Sequence, residues 1–122
     1  MSFQISNDNL TLSDFNPSSS SVVIGQNSGV GLNCVSIGNN AGSKNQGINC
    51  VAIGLNAGSN NQDLRSVAIG EGSGSISQGT LSVSIGTNAG NNIQANWAVA
   101  VGSETAVYSQ GLGSVAIGHY SG

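Results

Sequence analysis

The chain has 122 residues and a formal net charge of −3, with 19 Gly, 21 Ser and 16 Asn, so small turn-forming residues fill close to half of it. Charged residues are 6% and aromatics 4%, against about 25% charged in an ordinary soluble domain, which excludes a conventional globular core; a single Pro and the low charge also exclude charge-driven disorder. Lys44 and Arg65 are the only basic side chains besides His119, so nucleic acid is excluded as a partner, because its phosphates demand clustered Lys and Arg.

Residues 1–21 stand apart from the rest of the chain. Phe3 and Ile5, then Leu10 and Leu12, alternate around Asn7-Asp8-Asn9, the pattern of a small hairpin that caps the end of a repeat array. Pro17 and Ser18 to Ser21 read as a linker. Met1-Ser2-Phe3-Gln4-Ile5 lacks the basic start of a secretory signal. No apolar run approaches the roughly 20 residues of a membrane span, so the expectation is cytosolic synthesis and no membrane insertion.

From residue 22 to 122 the chain repeats itself. Val22-Val23-Ile24-Gly25 is followed by Val35-Ser36-Ile37-Gly38, Val51-Ala52-Ile53-Gly54, Val67-Ala68-Ile69-Gly70, Val83-Ser84-Ile85-Gly86, Val99-Ala100-Val101-Gly102 and Val115-Ala116-Ile117-Gly118. The first interval is 13 residues and every later one is 16. The unit reads V-[AS]-[IV]-G-x-N-[AS]-G-x-x-x-Q-x-x-x-[SCA]. Val and Ile two apart share one face of an extended segment, with Ala or Ser on the other. Gly25, Gly38, Gly54, Gly70, Gly86, Gly102 and Gly118 then supply a bend that a Cβ would obstruct, and Asn27, Asn40, Asn56 and Asn88 suit left-handed backbone. Each unit is thus a strand of four residues followed by a turn of five. β-branched residues, Gly and the absence of a 3.6 period exclude helical repeats.

The prediction is an all-β fold: a parallel β-solenoid of about seven repeats, with 16-residue coils stacked about 4.8 Å apart. Equivalent residues then form ladders. Gln46, Gln62, Gln78, Gln94 and Gln110 are expected to stack amide on amide, each donating to the next. Cys34 and Cys50 precede their strands, where other coils carry Ser66, Ser82, Ala98 and Ser114, and read as small buried thiols. Both faces of the strand need cover. Of the Val/Ile face and the Ala/Ser face, one lines the interior and the other packs on neighbouring chains, so homo-oligomerisation is expected.

The V-[AS]-[IV]-G-x-N-A-G unit over residues 22–122 resembles the repeat of YadA-type heads in trimeric autotransporter adhesins, and is similar to repeats in phage and large-virus fibre proteins. Its unit is longer than the usual one of those bacterial heads. The resemblance implies a left-handed β-roll packed as a homotrimer, with trimer or core strands at Val35, Ile37, Val51, Ile53, Val67, Ile69, Val83, Ile85, Val99, Val101, Val115 and Ile117. It implies a non-enzymatic, protease-resistant fibre or adhesin head segment, on a virion or an extracellular surface, that attaches to a host. The alternatives are a pure spacer with the binding tip elsewhere, and an ice-binding or scaffold solenoid. Ser121-Gly122 falls mid-repeat, which suggests truncation.

Trp97, Tyr108, His119 and Tyr120 cluster towards the C-terminus. Aromatic rings with polar tips are a common platform for glycan or protein receptors, and these four are the candidate contacts. No catalytic group is expected: one His and the carboxylates Asp8, Asp14, Asp63, Glu71 and Glu104 make no arrangement of nucleophile, base and orienter. Two thiols without clustered His make no zinc site, and no cofactor is expected. A calcium-binding β-roll would need Asp in each unit, and ice binding a ladder of Thr, which Thr11, Thr80, Thr87 and Thr105 do not form.

Overall fold

The computed structural model describes residues 21–29 and 31–122. The hairpin and linker expected over residues 1–21 lie outside the described residues except for Ser21. That side chain already bonds into the first coil, donating to Gly31 O at 2.6 Å and accepting from Cys34 N at 3.1 Å.

The chain winds as a parallel β-solenoid of three-residue strands. These are β1 (Val22–Ile24), β2 (Val35–Ile37), β3 (Val51–Ile53), β4 (Asn60–Gln62), β5 (Val67–Ile69), β6 (Ile76–Gln78), β7 (Val83–Ile85), β8 (Asn92–Gln94), β9 (Val99–Val101), β10 (Tyr108–Gln110) and β11 (Val115–Ile117). They form two sheets. The first runs β1-β2-β3-β5-β7-β9-β11 and the second β10-β8-β6-β4. Strands pair in strict register, Val51 against Val67 and Val67 against Val83, so the 16-residue period is one coil. The shorter first interval keeps Val22 opposite Val35. Its missing residues come from the far side, where the second sheet begins only with the bridge between Lys44 and Asn60.

Two details depart from the expected strand of four and turn of five. The strand ends at its third residue, because the following Gly takes φ between +118° and +130° in all seven coils and leaves extended geometry there. A second strand also ends on each Gln from Gln62 onward. It has no alternating signature because its middle residue is left-handed, at Asn61 (φ 62), Ser77 (φ 55), Ile93 (φ 60) and Ser109 (φ 48).

The interior is filled by the smallest side chains. Ser36, Ala52, Ala68, Ser84 and Ala100, the central residues of β2, β3, β5, β7 and β9, have no exposed surface. Ala41, Ala57 and Ala89 from the following corner meet them, in clusters such as Ala41, Ala52, Ala57 and Ala68. The flanking Val and Ile therefore point outward, half-buried along β2, β3, β5 and β9 and exposed at Ile85, Val115 and Ile117. With only methyl-sized groups inside, apolar burial within the coil is small. Hydrogen bonding between coils does much of the work: Val51 N donates to Ser66 O at 3.0 Å, Gly54 N to Ile37 O at 2.8 Å and Gly58 N to Ser73 O at 2.9 Å, and the pattern repeats upward.

The corner glycine shows how tightly coils nest. A Cβ on Gly70 would lie 2.7 Å from the carbonyl of Gly86, on a backbone at φ +119. At Gly111 nothing stands within 4 Å of the added atom. Gly70→Ala should therefore cost about 2–4 kcal/mol, from strain and from pushing two coils apart. Gly111→Ala should stay within about 1 kcal/mol of the parent. Chemical denaturation of the two variants checks the contrast, and equal losses would contradict the nesting.

Candidate functional site

Three surfaces and one interior ladder hold most of the residues the sequence singled out. The ladder is the interior Gln column. Gln62, Gln78 and Gln94 are almost fully buried, and each reaches across its coil to the opposite strand. Gln62 Nε2 donates to Val51 O at 2.8 Å, Gln78 Nε2 to Val67 O at 2.7 Å, Gln94 Nε2 to Val83 O at 2.9 Å and Gln110 Nε2 to Val99 O at 2.7 Å. Continuous amide-on-amide stacking, as expected from the sequence, is replaced by this cross-brace. Amide pairs survive only between Gln46 and Gln62 at 3.2 Å and between Gln94 and Gln110 at 3.0 Å. The cause is geometric: a strand carbonyl facing the narrow interior needs a donor, and the Gln amide is the side chain long enough to supply it.

Where the facing strand carries Ser, its hydroxyl completes the Gln. Ser36 Oγ donates to Gln46 Oε1 at 2.8 Å and Ser84 Oγ to Gln94 Oε1 at 2.6 Å. The equivalent partner of Gln78 is Ala68, and Gln78 Oε1 is the buried side-chain oxygen left without a hydrogen bond among the described residues.

Cys34 and Cys50 stack in neighbouring coils as free, buried thiols. Their Sγ atoms donate to Gly47 O at 3.0 Å and Asp63 O at 2.9 Å, an inter-coil version of the bond that Ser66 and Ser82 make to Asp63 O and Gly79 O of their own coils. Burial, first among several influences, pushes the Cys34 thiol above its ordinary pKa. Among the described residues no three His, Cys, Asp or Glu gather into a possible metal site.

The first outer surface is the Val/Ile face of the seven-stranded sheet. Six strand spacings give it a length of about 29 Å, and two outward residues per strand a width of about 10 Å. Leu32, Ile48, Leu64 and Leu112, all at least 44% exposed, stand at the corner leading into it. The second surface, missed from sequence, is a polar groove of about 360 Å³ along the other sheet, lined by Asn45, Asn61, Ser77 and Asp63 with backbone of neighbouring coils. Asn45 Nδ2 donates to Asn61 Oδ1 at 2.8 Å there. The third surface is aromatic. His119 and Tyr120 stack with ring centroids 4.0 Å apart and planes at 40°, and Tyr108 and Tyr120 line one cavity with Glu104. Trp97 is not part of it. It occupies the corner before β9, left-handed at φ 60, in the position of Asn33 and Asn49 in earlier coils.

No family model matches this chain, and neither curated proteins nor solved structures provide a match.

The uncompleted Gln78 yields a test of the interior. Ala68→Ser places a hydroxyl where Ser36 and Ser84 carry theirs and should stabilise the protein by about 1 kcal/mol. Ala100→Ser, opposite a Gln110 whose Oε1 already accepts from Gln94, should gain less. Thermal melts of the two variants check the order, and a destabilised Ala68→Ser would contradict it.

Proposed function

We propose that this protein is a non-enzymatic structural segment, a homotrimeric rod of left-handed β-roll repeats serving attachment to a host or other surface. The observation that carries the reading is the outward Val/Ile ladder. The coil has already filled its interior with Ala, Ser, Cys and Gln, so the fourteen outward β-branched side chains over seven strands are only partly covered by their own chain. A flat apolar face of roughly 300 Å² is as large as the biggest patches of ordinary monomers, which tend to be functional. Self-association is the economical cover, because the ladder repeats with the period of the coil and one copy's ladder fits the next along its whole length.

A closed ring also suits the face better than an open stack, since it leaves no copy with bare apolar surface. The resemblance to trimeric adhesin heads favours three chains. The same resemblance favours a virion fibre or an extracellular surface as the setting, and no helix of the described residues is long and apolar enough to cross a membrane. A rigid rod whose corners are exposed turns supports attachment through the corners rather than through the buried ladder.

Light scattering on the purified chain tests this directly. Three chains of 12.0 kDa give about 36 kDa. Ile69→Asp, in the middle of the outward ladder, should shift the mass towards the monomer, because three carboxylates would meet in an apolar contact. Ile76→Asp, on the second sheet, should leave it unchanged. A parent protein of 12.0 kDa in solution would overturn the trimer.

A further inference from the structure

The corner that leads into each first-sheet strand carries one large apolar side chain in every coil from Leu32 upward. Leu32, Ile48, Leu64 and Leu112 hold it three residues before the strand, and Asn33 (φ 57), Asn49 (φ 62), Arg65 (φ 56) and Gly113 (φ 63) follow with left-handed backbone. In the two coils where Thr80 and Asn96 stand at the first position, the apolar side chain moves one place on, to Leu81 (φ 58) and Trp97 (φ 60). Left-handed backbone, which Asn and Gly take readily, costs Leu and Trp about 1 kcal/mol or more. The coil itself gains little in return, because both side chains stand in solvent, Leu81 45% and Trp97 56% exposed.

What is kept is one apolar side chain per coil, whichever of the two positions holds it. Leu32, Ile48, Leu64, Leu81, Trp97 and Leu112, each at least 44% exposed, form a stripe about 24 Å long. A receptor contact is local and asks for a cluster in one or two coils. A stripe that repeats with the coil fits a partner of the same period, and that partner is a second copy of this chain. The stripe is also continuous with the Val/Ile ladder, since Val35 follows Leu32 by three residues and Val67 follows Leu64 likewise. On the other flank of the ladder, the position after the corner glycine is polar at Gln26, Asn39, Glu71, Thr87, Ser103 and His119, with Leu55 the exception. The outward apolar surface is thus lopsided: stripe, Val column, Ile column, then polar residues.

We propose that in the homotrimer the stripe of each copy packs on the Ile column of the next. A two-fold contact uses one patch twice, whereas a three-fold ring needs two different patches on every chain, and the lopsided surface supplies them. Area argues the same way. The Val/Ile face offers roughly 300 Å² to be shared by two neighbours, against about 800 Å² per partner in a stable interface, so the ladder alone is too small to hold a ring. The stripe is the apolar surface that adjoins it, and it includes Trp97, the residue type most enriched among interface anchors. The inference rests on the trimer proposed above and names the surfaces that meet in it. It leaves the corner after the first-sheet strand, and the second sheet, facing outward for attachment.

Disulfide trapping tests the pairing. The background carries Cys34→Ser and Cys50→Ser, a replacement the coil accepts at Ser66 and Ser82. Leu64→Cys and Ile69→Cys are introduced singly and together, and the 122-residue chain is treated with oxidised glutathione. Both positions belong to one coil, so a ring about the rod axis brings Leu64 of one copy level with Ile69 of the next. The double variant should run as a covalent trimer on a non-reducing gel, and each single variant as one chain. Leu81→Asp should raise the concentration at which the trimer dissociates by about tenfold or more. Ile93→Asp, similarly exposed and also left-handed but on the second sheet, should not. A parent trimer whose double variant stays unlinked, a Leu64→Cys chain that links to its own kind, or a Leu81→Asp trimer as stable as the parent would each overturn the stripe and leave the trimer standing. A monomeric parent in light scattering would overturn both.

Discussion

In the stacked coils from Val22 onward, a residue lies one strand spacing from its own counterpart. Because the coils stack in register, a side chain or carbonyl at one position meets the same position above and below, about 4.8 Å away. That constraint selects residues that tolerate their own repetition. Glycine at the corner lets the next coil's carbonyl sit where a Cβ would be. Asparagine pairs with itself, as Asn40 does with Asn56 at 3.1 Å. Gln spans the coil and bonds the far strand, and Ala fills what remains. Charge fails the same criterion, since like charges would stack, and charged residues make up only 6% of the chain.

The constraint also explains why the interior is small and the outside apolar. Two sheets joined by tight corners enclose a space that admits methyls, hydroxyls and the brace of a Gln, and no branched aliphatic side chain among β2 to β11 is fully buried. An ordinary domain places Val and Ile inside and small polar residues outside. Here the order is reversed along the first sheet. The protein accordingly depends on hydrogen-bond ladders between its coils, and its outward apolar face is only partly covered by the chain itself.

The sequence displayed the coil length, the register and the first sheet, because Val-x-Ile-Gly recurs at a fixed interval and periodicity needs no knowledge of packing. It displayed the Gln column as a column, though not the carbonyls that Gln62, Gln78, Gln94 and Gln110 would seek across the coil. Which strand face turns inward was not legible, since alternation is symmetric until the interior width is known. The second sheet was hidden because Ile93 and Ser77 adopt left-handed backbone that neither residue prefers on its own. Only stacking on Asn61 places them there. Likewise, nearness in sequence grouped Trp97 with Tyr108, His119 and Tyr120, but coil position, not sequence distance, decides neighbours in a solenoid.

The central claim is that the outward Val/Ile face is covered by further copies of the chain. It is tested most directly by methyl NMR with a soluble paramagnetic agent, which broadens each methyl according to its access to solvent. The account predicts that Ile85 and Ile117, which point outward on the ladder and are about as exposed in their own chain as Ile76 and Ile93, stay sharp, while Ile76 and Ile93 on the second sheet broaden strongly. Broadening of both sets to the same degree would mean that the face is bare in solution, and would contradict the account.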